Sequence, residues 1–205
     1  MLAARAARDV EVLMATPAKD NREAARRVAQ LCALEEWRLA RGNLSEVDHS
    51  LSLLQHFETV QTEPEARGLA AFCAGLLDAW QAVLRRSADA GHKLASLDSA
   101  SRSGPDGWLD HYQHVNLLIA RLYQVEGDNV RALAALRRRH YFLGVPLYLS
   151  SYLREEGRLA ASTGDRSGAI AAYQHYLALR DDPEPSAKSE VDQVRRELAQ
   201  LLAER

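Results

Sequence analysis

The sequence is poor in cysteine, in long apolar runs and in charge of one sign, and each shortage closes off a class of protein. Cys32 and Cys73 are its only cysteines, too few and too widely spaced for a metal knuckle or a disulfide framework. Each is flanked by apolar residues at helical spacing, so both read as buried free thiols, which fits a reducing compartment and a cytoplasmic location. Lys and Arg number 26 against 28 Asp and Glu, a net charge of −2. Bulk charge therefore makes no case for nucleic acid or an anionic membrane, and any recognition by charge has to be local. Apolar runs are short as well. The opening "MLAARAARDVEVLM" is interrupted by Arg5, Arg8, Asp9 and Glu11, unlike a signal peptide, and reads as an amphipathic helix with Leu2, Ala6, Val10 and Leu13 on one side. The longest uncharged run of the second half, 141–153, is broken by Gly144 and Pro146 and is too short to span a bilayer, so no membrane insertion is expected.

Catalytic signatures are missing too. The chain has no phosphate-cradling Gly-rich loop ending in Lys and Ser/Thr, no Gly-x-Ser-x-Gly elbow and no His-Glu-x-x-His. His111 and His114 lie three apart but have no third ligand nearby, and the adjacent pairs Glu35-Glu36 and Glu155-Glu156 point in different directions from a helix. The expectation is a protein without catalytic activity, metal or cofactor.

What the sequence does contain is helical periodicity in an ordinary globular composition, 47% hydrophobic and 26% charged. Residues 21–41 form a first helix that stops at Gly42; a second follows Asn43 and ends before Pro64. A long helix covers 65–86, and a weaker one follows Gly91. Residues 101–107 read as a loop, with Pro105 placed to open the next helix, which runs to Gly127. After Asp128 come "NVRALAALRRRHYF", a break at Gly144 and Pro146, and a hairpin over 153–185. The final segment carries Val191, Val194, Leu198, Leu201 and Leu202 as one apolar stripe.

The turns Gly42-Asn43, Gly91-His92, Gly127-Asp128 and Gly164-Asp165 divide longer helices from shorter ones at spacings of 49, 36 and 37 residues. Around Gly164, Gly157 lies seven before, Ala169 five after and Tyr173 nine after; around Gly127, Ala120, Ala132 and Leu136 hold the same offsets, with Tyr123 four before. This small, small, bulky pattern resembles the tetratricopeptide repeat family, whose small residues let paired helices touch. The resemblance is clear over 107–180 and fades over 1–104, where Glu35, Val47 and Leu51, and then Leu84, Ser96 and Ala100, hold those offsets. It implies an all-α fold over a single domain, 1–205: a right-handed stack of antiparallel helix hairpins, a TPR-like solenoid, closed by a capping helix at 186–204. The wording of the last hairpin also resembles helical-repeat segments of bacterial signalling kinases and transcriptional activators. With no mate before the first helix, this favours a fragment of a longer protein.

In that family the first helix of each pair lines a concave groove. Six residues before the four turns stand Glu36, Arg85, Arg121 and Arg158, and Arg154 lies one helical turn from Arg158. The resemblance therefore implies a basic stripe of Arg85, Arg121, Arg154 and Arg158, with Gln81 and Gln124 as neutral partners and Leu117 as an apolar contact. Arginine's planar fork suits carboxylates, so the expected partner is a protein or peptide segment with acidic character. The competing reading is an accessory subunit packed permanently in a larger assembly. The run Arg137-Arg138-Arg139-His140 beside Tyr141 and Phe142 is the one place where nucleic acid could bind, but three arginines at a helix C-terminus also answer its negative dipole, and nucleic acid is not the expected partner.

Overall fold

A computed structural model describes residues 18–103, 112–139 and 148–203. Every regular element among them is a helix: α1 (Asn21–Leu39), α2 (Val47–Val60), α3 (Pro64–Arg85), α4 (Ala90–Ala100), α5 (Val115–Val125), α6 (Asn129–Arg137), α7 (Leu149–Ser162), α8 (Arg166–Leu179) and α9 (Lys188–Ala203). The all-α expectation holds. No helix among the described residues is long and apolar enough to cross a membrane. The N-terminal segment with Leu2, Ala6, Val10 and Leu13, Pro105, His111, and the stretch with His140, Tyr141, Phe142, Gly144 and Pro146 lie outside the described residues. Two compact units emerge, Met1–Tyr112 and Gln113–Arg205, divided close to where the repeat pattern sharpens in the sequence.

The first unit is organised around α3. Pro64 opens this helix, where a missing N–H costs nothing, and Leu69, Phe72, Leu76, Leu77, Trp80 and Val83 are buried along it. Helices α1, α2 and α4 all pack on α3, while α1 and α2, although consecutive, barely meet. The α1 N-terminus is fixed by Asp20, whose side chain accepts from the Glu23 N–H at 2.8 Å, and Glu23 in return accepts from the Lys19 N–H at 2.9 Å.

Packing α1 on α3 corrects the reading of the cysteines. Cys32 on α1 and Cys73 on α3 are joined in a disulfide, with Cα atoms 5.9 Å apart and both residues fully buried. Spacing along the chain could not reveal this, because the pairing depends on which two helices share a face.

The second unit is serial: α5 packs on α6, α6 on α7, α7 on α8 and α8 on α9. Small residues lie in the core of this unit. Ala120, Ala132 and Ala169 are buried, and a Cβ at Gly157 would run into the ring of Tyr173, so the close approach of α7 and α8 requires glycine there. Val191 and Val194 of α9 join Leu153, Tyr173 and Tyr176 in one core cluster, with Leu198 and Leu201 against it, so most of the terminal stripe is covered within the chain.

The turns share one device. Each α1, α3, α5 and α7 C-terminus is closed by a left-handed residue followed by an N–H that donates five residues back: Asn43 to Arg38, Ser87 to Ala82, Asp128 to Tyr123 and Asp165 to Ala160, at 2.8–3.0 Å. The left-handed residues are Gly42, Arg86, Gly127 and Gly164. The expected turn at Gly91 is thereby corrected: Gly91 lies inside α4, and Arg86 makes the turn instead. A non-glycine residue in the left-handed region hid the true position. In the second unit the next residue doubles as an N-cap, Asp128 accepting from the Arg131 N–H and Asp165 from the Gly168 N–H, both at 2.9 Å.

Candidate functional site: a charged groove between α7 and α9

Helices α7 and α9 flank a groove of about 470 Å³ in the second unit. Its floor includes Val194, and its walls carry Arg154, Glu155 and Arg158 from α7 and Glu190, Arg196 and Glu197 from α9. The spacing of Arg154 and Arg158 puts both on one face of α7, as the sequence implied. Arg154 pairs with Glu190 across the groove and with Glu155 beside it at 3.0 Å. Arg158 reaches the same Glu155 carboxylate through Nε and Nη2, at 3.1 and 2.9 Å. Burial works to raise the Glu155 carboxyl, but Arg158 and Arg154 outweigh it and hold the group below the usual carboxylate range.

Two tyrosines support the α9 wall from below. Tyr173 donates to Glu197 and Tyr176 to Glu190, each at 2.5 Å. Burial first, and then the Glu197 charge, push the Tyr173 phenol well above its ordinary value. Glu190 and Glu197 are thus held by core side chains, whereas Arg158 is 51% exposed and Arg196 is exposed as well. Arg196 makes no ion pair among the described residues. The groove can offer two exposed guanidinium groups beside carboxylates that are already engaged.

Of the residues implied by the repeat resemblance, Arg154 and Arg158 alone line this groove. Arg121 is exposed on α5 and makes no ion pair among the described residues. Gln124 is half-buried on the same helix. Leu117 is buried. Arg85 belongs to the first unit, as the last residue of α3; with the turn at Arg86 rather than Gly91 it is not equivalent to Arg121 and Arg158. It pairs with Asp48 at 3.2 Å. Gln81, also buried, donates to the other Asp48 oxygen at 2.6 Å.

Sequence reasoning passed over the α9 side of the groove, since it treated that helix only as a cap. The signal was the opposite flank of its stripe, where Glu190, Gln193, Arg196 and Glu197 recur at helical spacing. The basic run after α6 also has an internal use. Arg137 and Arg139 both grip Glu156 of α7, Arg137 further binds the Asp165 cap, and the Arg138 carbonyl accepts from Asn116 of α5 at 2.5 Å. His114 sits at the α5 N-cap with its ring against Tyr148, 5.8 Å between centroids.

No family model, curated protein or solved structure matches the chain.

Proposed function

We propose that the protein is a non-catalytic interaction module in which TPR-like hairpins stack as a right-handed solenoid and the α7–α9 groove receives an extended partner segment with acidic character. The observation that carries this reading is the pair of exposed guanidinium groups, Arg158 and Arg196, on facing walls of a groove with an apolar floor at Val194. Arg158's present partner, Glu155, is on its own helix and also pairs with Arg154, so Glu155 keeps a cation when Arg158 turns to an incoming carboxylate. Arg154 has the other task of tying α7 to α9 through Glu190.

The test is fluorescence anisotropy of a labelled peptide bearing four successive glutamates and a free C-terminus, titrated with the full chain. Arg158→Glu with Arg196→Glu should weaken binding about tenfold or more while helicity is unchanged. Equal affinity in the double variant would refute the reading.

A permanent accessory subunit is the alternative. It draws on Val125 and Val130, 63% and 71% exposed on either side of the Gly127 turn. A partner complex that survives high salt and is broken by Val130→Asp would favour it.

A further inference from the structure

We propose that the Cys32–Cys73 bond is a redox-responsive clasp, closed in oxidising conditions to hold α1 on α3 and opened by reduction to release it. Among the described residues α1 packs chiefly on α3. This helix buries mostly small or polar groups: Ala24, Ala25, Val28 and Cys32 beside Leu31 and Leu39, together with Arg27 and Glu35. Glu35 is fully buried, with its carboxylate held by Arg38 at 2.5 Å and the Ser50 hydroxyl at 2.9 Å. A buried ion pair of this kind returns little net stability, because desolvation offsets its attraction. Helix α2 meets α1 at few points, the Ser50–Glu35 hydrogen bond among them. The cross-link falls within the α1–α3 packing and spans a sequence separation of 41 residues.

Burial sets the kinetics. With Cys32 and Cys73 both at 0% exposure, a thiol cannot reach either sulfur until the packing around the bond opens locally. Once it does, exchange is balanced. A thiolate of reduced glutathione attacks one sulfur, the S–S bond breaks and the other cysteine leaves as thiolate; a second glutathione thiolate then displaces the first cysteine from the mixed disulfide. Two protons reach the cysteines, and the glutathione leaves as its disulfide. Closure is the reverse, with oxidised glutathione accepting the two electrons. Release of α1 uncovers α3 around Cys73, with Leu69, Leu76 and Leu77 within about one helical turn.

The test uses the full-length chain equilibrated in glutathione buffers from fully oxidised to fully reduced. Thiols are counted by alkylation after denaturation, and hydrogen exchange is followed by mass spectrometry. The clasp requires zero free thiols at the oxidised end and two at the reduced end. It also requires exchange over 21–39 to speed up by about tenfold or more on reduction while 149–203 stays unchanged. Cys32→Ala with Cys73→Ala should exchange like the reduced protein in every buffer. Three results would overturn the proposal: two thiols that never join, a bond that native protein never gives up, or a reducible bond whose opening leaves exchange at 21–39 unaltered.

Discussion

The two units are built from the same kind of helix and held together in different ways. In the first, α3 is a hub on which α1, α2 and α4 converge; in the second, each helix from α5 to α9 packs on the next. A serial stack has to solve the same contact problem at each step, so small residues and turns recur with a period. A hub is contacted by each of its neighbours differently, and no period is imposed. Among the described residues α1 packs mainly on this hub, and that is where the disulfide lies.

This contrast can be broken most forcefully at the cysteines. Reduction, or replacement of both by Ala, should cost the first unit about 4 kcal/mol for a loop of this length and leave the second untouched. Urea unfolding followed by unit-resolved hydrogen exchange measures both at once. Equal loss in the two units would show that they do not stand on separate supports.

The corresponding weak point of the second unit is Gly157. Gly157→Leu has to displace the buried Tyr173 ring and should destabilise this unit by about 3 kcal/mol, read from its urea midpoint. The first unit should keep its own midpoint.

The turns give a smaller effect with opposite signs. Arg86 has φ 53°, a conformation that costs a side chain about 1 kcal/mol or more, so Arg86→Gly should stabilise the first unit by about 1 kcal/mol. Gly127→Ala and Gly164→Ala, at φ 79° and 81°, should each weaken the second unit by a similar amount. Thermal melts of the single variants decide the matter.

Alkaline pH gives the subtlest comparison. Burial pushes the Tyr152 phenol from 10.0 up to about 12, against weaker opposing effects of neighbouring backbone groups and arginines. A raised phenol favours the folded state below the unfolded value. Its contribution is therefore intact below pH 10 and is lost as pH rises from 10 to about 12. Absorbance of tyrosinate should show this group ionising in step with unfolding of the second unit, and Tyr152→Phe should soften the transition.

How much of this was legible follows from the same contrast. Gly157 with Tyr173, and the Gly-Asp turns at 127–128 and 164–165, were readable because close approach and left-handed backbone restrict the choice of residue. Arg86 defeated the reading because it adopts that backbone without glycine, and the mistaken turn at Gly91 carried Arg85 into a stripe to which it does not belong. The disulfide was illegible because Cys32 and Cys73 meet only through the packing of α1 on α3. At the site, Arg154 and Arg158 were legible from their spacing on one helix, while Arg196 was not, since its relevance depends on α9 lying across from α7. Gln81 and Leu117 are buried, which the spacing did not reveal, because helical spacing sets a direction around the axis and says nothing of what covers that direction.

The most direct test of the central claim is hydrogen exchange of the full chain with and without the tetraglutamate peptide. The groove account requires protection confined to 149–162 and 188–203, abolished by Arg158→Glu with Arg196→Glu. Protection that falls on the first unit, or that persists in the double variant, would contradict it.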